Sequence, residues 1–220
     1  IAETAASRAL KIASRKAPIL GVSEFANVAE APMDAADFAD IAASAAAADG
    51  APLLDEPTAP GDGAMSIQPV GAAFEALRDA ADAYVEQTGA VPGVFLANIG
   101  ALAHFTARAS FAGNAFAAGG IAPAGETSVG YSDAGAVAEA FKKSGAAIAC
   151  ICGTDAAYGD HAAAFASALK AAGANQVWLA GRGGAAEAEA ELRQAGVDGF
   201  IAMGADMLAA MQSAHQAIGV

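Results

Sequence analysis

Positive charge is what this 220-residue chain has least of: 11 Lys and Arg stand against 24 Asp and Glu, a formal net charge of −13. No basic stripe exists beyond residue 16. A nucleic-acid partner is therefore excluded, because affinity for a phosphate backbone rests on clustered Lys and Arg. Long apolar runs are also absent. The hydrophobic share of 55% is inflated by alanine, and no stretch offers the ~18 strongly apolar residues of a membrane-spanning helix. Cysteine is limited to Cys150 and Cys152. On one strand their side chains point to the same face, which makes them poor disulfide partners and points to two small buried hydrophobes in a reducing, cytoplasmic setting.

The signatures of two nucleotide sites and of a receiver domain are missing as well. Only Gly100 follows the first strand of the repeating region, so the three glycines of a dinucleotide fingerprint are not there. No glycine-rich loop ends in Lys and Ser or Thr, and no carboxylate cluster stands at the first strand end to hold magnesium. The chain starts at Ile1 without an initiator Met or signal pattern. It is expected to be a fragment of a longer chain.

What is present begins with residues 1–16, good helix formers with Ala5, Ala9, Ile12 and Ala13 on one face and basic residues at the carboxyl end. Pro18 stops that helix, and residues 19–25 are expected to form a short buried strand. Residues 30–66 hold eight acidic residues and no Lys or Arg. A helix is expected over 37–48, followed by a proline- and glycine-punctuated connector over 50–63. A further helix over 72–88 carries Phe74, Leu77, Ala81 and Tyr84 on one stripe and closes at Gly89.

After Pro92 the pattern turns regular. Strands are expected at 94–99, weakly at 121–129, then at 146–152, 176–180 and 199–203; helices are expected at 102–118, 133–144, 160–172, 185–195 and 206–218. Five β-then-α steps require parallel strands joined by right-handed crossovers, with helices on both faces. The fold class is α/β, a flavodoxin-like doubly wound five-stranded sheet of order 2-1-3-4-5.

Ligands of such sheets bind outside the carboxyl ends of the strands. Those ends carry Asn98, Gly100 and His104 after the first strand, Thr154 and Asp155 after the third, Gly181-Arg-Gly-Gly184 after the fourth, and Asp206 after the fifth. His104 can be a metal ligand or general base, or a packed residue at a helix start. Asp155 and Asp206 suit helix N-termini. Thr154 and the glycines at 181, 183 and 184 let a ligand approach the backbone. Arg182 can meet a phosphate or simply be solvated. His161 and His215 have no partner at ligand spacing and are read as structural.

The blocks Val94-Phe-Leu-Ala-Asn-Ile-Gly100, Phe111-Ala-Gly-Asn-Ala-Phe-Ala-Ala-Gly-Gly120, Phe141-Lys-Lys-Ser-Gly-Ala146, Ala149-Cys-Ile-Cys152 and Ala168-Leu-Lys-Ala-Ala-Gly-Ala174 together resemble the C-terminal, cobalamin-binding-like domain of the methylmalonyl-CoA mutase small (β) subunit family. Upstream, Ala17-Pro-Ile-Leu-Gly-Val-Ser-Glu-Phe-Ala-Asn27 resembles the closing strand of that family's TIM barrel. The resemblance implies residues 1–29 as a barrel remnant, 30–90 as an acidic linker with helices, and 91–220 as the cobalamin-binding-like domain. Catalytic relatives carry Asp-x-His-x-x-Gly after the first strand, whose His ligates the cobalt of adenosylcobalamin. Here Leu102 stands at the Asp position, His104 at the His position and Ala107 at the Gly position. A lost carboxylate behind a ligating imidazole typically costs about 10- to 100-fold in affinity or activity.

The resemblance thus implies a non-catalytic small subunit in a heterodimer with a large (α) subunit that holds adenosylcobalamin and interconverts methylmalonyl-CoA and succinyl-CoA. This chain itself is expected not to bind the cofactor. Two alternatives stay open. One is a cobalamin-binding component with His104 on cobalt and Thr154, Gly181, Gly183 and Gly184 along the nucleotide tail; the other is a generic module for a small anionic ligand.

Overall fold

The computed structural model describes residues 2–30, 43 and 69–220. Residues 1–28 and 70–220 form one compact unit, and 29–69 form a second. Within the second, the expected helix over 37–48, apart from helical Ala43, and the connector over 50–63 lie outside the described residues.

The first unit opens with α1 (Ala2–Ala13) and α2 (Ala72–Thr88). The repeating region follows as β1 (Gly93–Asn98), α3 (Leu102–Ala117), β2 (Ala122–Ala124), α4 (Ala134–Ser144) and β3 (Ile148–Cys152). Next come the short α5 (Asp155–Ala157), a π-helical turn (Tyr158–Ala162) and α6 (Ala163–Ala171). The chain ends with β4 (Gln176–Ala180), α7 (Ala186–Gln194), β5 (Gly199–Ile201) and α8 (Met207–Ile218). The sheet order is β2-β1-β3-β4-β5 with every pairing parallel, the flavodoxin-like α/β order expected from the βα repeat.

The pleat explains why these runs are apolar throughout. Val94, Leu96, Ile148, Cys150, Trp178 and Ile201 point to one face, where α2, α3 and α8 supply Phe74, Leu77, Phe105, Phe116 and Met211. Phe95, Ala97, Ala149, Ile151, Val177 and Leu179 point to the other, against Val137 and Phe141 of α4, Phe165 and Leu169 of α6 and Leu192 of α7. A strand covered on both faces has no polar side to show. Each large side chain so buried contributes about 1.5–3 kcal/mol. Cys150 and Cys152 are free thiols on the first of these faces, fully buried as expected. At Gly199 a Cβ would collide with the Trp178 ring, so only glycine lets the indole lie across β5.

Residues 1–28 pack onto the same face as α2. Ile12 is buried in that core, and Ile19 and Val22 pack against it. Ala5 and Ala9, expected to share the buried face with Ile12 and Ala13, are exposed. The strand expected over 19–25 is instead a turn with one isolated bridge between Leu20 and Glu24. Val22 N and Ser23 N both bond to Ile19 O, at 3.1 and 2.9 Å, and Gly21 takes a φ of +75°. No neighbouring strand pairs with this segment among the described residues, so local bonds satisfy its backbone and bend it. Phe25 and Leu20 are left exposed. The strand expected over 121–129 shortens to three residues because the chain pairs only along the outer edge of β1.

Candidate functional site

At the carboxyl end of β1 the Asn98 amide nitrogen and the backbone groups are spent on structure, while Asn98 Oδ1 is buried without a hydrogen-bond partner. Asn98 is fully buried, and its amide donates to the carbonyls of Thr127 (2.9 Å) and Val129 (3.1 Å), tying down the loop after β2. Gly100 N donates to Tyr131 O at 2.9 Å, and Tyr131 N to Asn98 O at 2.8 Å. Gly130 packs so closely that a Cβ there would strike Gly100 O.

His104 sits in the first turn of α3, its backbone N–H donating to Ala101 O at 2.8 Å. Its side chain is exposed, as is that of Leu102 two residues earlier. Among the described residues no group of three His, Cys, Asp or Glu is placed to hold a metal ion. Thr154 is the N-cap of α5, its hydroxyl accepting from Ala157 N at 3.2 Å. Asp206 caps α8 through Ala209 N at 3.0 Å, as a helix-starting aspartate is expected to do. His215 is buried with Nε2 2.6 Å from Gly119 O, and the His161 ring lies 6.1 Å from that of Phe165; both are packed into helical structure.

A concave feature of this end lies over the ends of β3, β4 and β5. A cleft of about 690 Å³ opens between α3, the π-helical turn, the loop after β4 and the end of β5. Gly181, Gly183 and Gly184 line it together, as does Arg182; His104 and Thr154 do not. Gly183 and Gly184 both have positive φ, +76° and +93°, and at Gly183 a Cβ would strike the Phe200 ring. The glycines are therefore required by the loop's own path.

The residues that shape this cleft most were not singled out by sequence reasoning. Arg108, the one Lys or Arg of α3, reaches across the sheet end. Its Nη1 donates to Ala180 O and its Nη2 to Asp155 Oδ1 at 2.8 Å. The guanidinium lies 5.7 Å from the Tyr158 ring centroid, within cation–π range. Tyr158 is buried; its hydroxyl donates to the same Ala180 O at 2.7 Å and accepts from Gly153 N at 3.0 Å. Burial, followed by the nearby Cys152, pushes its phenol well above the usual tyrosine range. Asp155 begins α5, as its residue type suggests, and also serves as the Arg108 counter-ion. One signal pointed here: Arg108 and Phe111 fall on the α3 face that includes His104, four and seven residues on.

No profile of a known protein family matches the chain. Over 221 aligned residues, covering the whole chain, it is 40% identical to a Streptomyces virginiae protein named methylmalonyl-CoA mutase small subunit. The chain is a homologue of methylmalonyl-CoA mutase small subunits. A Mycobacterium bovis protein named probable methylmalonyl-CoA mutase small subunit is 39% identical over 82% of the chain. A Propionibacterium freudenreichii subsp. shermanii small subunit is 31% identical over 98% of it. The chain spans 31%, 25% and 30% of the lengths of these three small subunits.

Proposed function

We propose that this chain is the flavodoxin-like domain of a methylmalonyl-CoA mutase small subunit, a non-catalytic part that supports a large subunit carrying adenosylcobalamin and the radical chemistry. The chain then does its work in the cytoplasm through fold and interface, within a heterodimer that interconverts methylmalonyl-CoA and succinyl-CoA. Residues 1–29 are in this reading the end of a barrel domain, and 30–90 its acidic connection to the sheet.

The observation that carries the reading is the Arg108 guanidinium bound to Ala180 O and Asp155. It lies over Gly181, so close that a Cβ there would strike Nη1. A cofactor tail crossing the end of β4 would meet this side chain. His104 adds to the misfit: it lies outside the cleft, and Leu102 stands where catalytic relatives carry the orienting carboxylate. An imidazole without such a partner is a weak metal ligand.

The test is to incubate the chain with adenosylcobalamin, remove free cofactor by gel filtration and record the corrin spectrum of the protein peak. No bound corrin is expected, and co-purification with a mutase large subunit is. A corrin spectrum that is lost in His104→Ala would overturn the non-catalytic reading in favour of a cobalamin-binding component.

A further inference from the structure

We propose that the cleft beside Arg108 binds a small monocarboxylic acid with an apolar body, its carboxylate taking the place on the Arg108 guanidinium that Asp155 now holds. The inference concerns a ligand of this chain's own and stands whether or not the subunit reading is correct.

The guanidinium is oriented before any ligand arrives. Nη1 is fixed on Ala180 O, and the group lies over the Tyr158 ring. Tyr158 is itself held by Ala180 O and Gly153 N. Only Nη2 faces a partner that can leave. That partner, the Asp155 carboxylate at 2.8 Å, has a side chain 86% exposed, whereas that of Arg108 is 34% exposed. An exposed pair of this kind is held weakly, because both charges remain hydrated when it opens. The Asp155 carboxylate therefore marks where a carboxylate fits, on a donor set built to receive one.

The rest of the cleft describes the ligand's body. Phe111, Ala163, Leu192, Ile201 and Met203 supply apolar wall. At about 690 Å³ the cavity falls within the roughly 300–1,000 Å³ of small-molecule sites. Nothing lies within 4 Å of where a Cβ would stand on Gly159, so the wall is open at the π-helical turn, a local irregularity often found at functional sites. The charges lining the cleft limit the ligand to one negative charge. Arg108 and Arg182 are matched by Asp155 and Glu191, so a phosphate dianion would meet two acids, while a monocarboxylate needs to displace one.

The probes are octanoate and its neutral isostere octanamide, titrated into the intact chain by calorimetry and followed through the amide resonances of Gly181 and Gly183 and the Nε–H of Arg108. Octanoate should bind about tenfold more tightly than octanamide, as a charge-assisted hydrogen bond outweighs a neutral one. Asp155→Asn should tighten octanoate several-fold and leave octanamide unchanged, since it removes the competitor without touching the wall. Arg108→Met, which keeps much of the side-chain volume, should erase the preference for the acid. If Arg108→Met does not fold, the Asp155→Asn comparison decides alone. Equal binding of acid and amide, octanoate binding unchanged by Asp155→Asn, shifts confined to residues away from the cleft, or no octanoate binding by either protein at millimolar concentration would each overturn the proposal.

Discussion

Arg108 and Tyr158 meet on a single acceptor, the carbonyl of Ala180 at the end of β4. One side chain comes from α3 and the other from the π-helical turn, so their shared acceptor ties two helical layers to one strand end. The Tyr158 hydroxyl also accepts from Gly153 N, and so closes the end of β3 as well.

Tyr158→Phe removes that hydroxyl and leaves the buried Gly153 N–H without its acceptor. A loss of about 1–3 kcal/mol is expected at pH 7. The loss should depend on pH in a defined direction. Burial raises the folded-state pKa of Tyr158 above its unfolded value of 10.0, so its contribution is fully present below pH 10. Above that pH the unfolded chain releases the proton while the folded chain keeps it, and the contribution falls. Urea denaturation from pH 7 to 11.5 should show the gap between wild type and Tyr158→Phe closing as pH rises. Tyr131 and Cys150 are also raised by burial, but both remain in the variant and cancel in the difference. A gap that stays constant would refute the assignment.

Arg15 and Glu24 give a second case. The Arg15 side chain is 1% exposed and that of Glu24 26%, with 3.1 Å between Nη2 and Oε1. The guanidinium also lies 5.4 Å from the Phe111 ring, and burial pushes its pKa down against the opposing pull of Glu24. Glu24→Gln leaves a buried cation without its counter-ion and should cost about 3 kcal/mol, the low end for broken buried pairs because Glu24 is partly hydrated. Arg15→Met removes the cation while keeping an apolar stem against Phe111, and should cost less than Glu24→Gln or stabilise the chain. Denaturant midpoints of the two variants decide it: Arg15→Met falling below Glu24→Gln would be the wrong order.

How far the sequence reveals this protein depends on the range of the interaction. β4 was expected at 176–180 and α2 at 72–88, and both occupy those residues, because apolar runs and glycine closure are local signals. The sheet order followed from the count of βα steps. The turn at 19–25 misled because an apolar run reads alike whether or not a strand lies beside it. Arg108 shares the α3 face of His104, but its role over Gly181 could not be read, since its acceptor is 72 residues away and no local rule places an α3 side chain there. Asn98 was visible as the lone polar group of its strand, but its use as a loop anchor required knowing where Thr127 and Val129 return.

Gly130→Ala tests how tightly that returning loop is set. The new methyl would meet Gly100 O, which is backbone and cannot swing aside, and Phe105 lies next to it. A cost of about 3 kcal/mol is expected, the upper part of the overpacking range. Gly159→Ala, where nothing lies within 4 Å of the added carbon, serves as the control and should change the denaturation midpoint little. Equal effects of the two substitutions would remove the steric account.

Asn98→Asp changes the chemistry of one group at a fully buried site. The amide nitrogen donates to two carbonyls, Thr127 O and Val129 O. An ionised carboxylate has no proton to donate and would set negative oxygens against both. A protonated carboxyl can still donate to one of them. The folded state should therefore hold the introduced carboxyl protonated, with a pKa raised above the unfolded value of about 3.9. A raised pKa means that folding tolerates the variant at low pH and loses stability as pH rises past the unfolded value. Relative to wild type, Asn98→Asp should be destabilised by about 3 kcal/mol or more at pH 7 and by distinctly less at pH 4. Thermal or urea denaturation of both proteins at the two pH values measures this. A penalty equal at pH 4 and pH 7 would mean that the loop after β2 does not depend on the Asn98 proton donors.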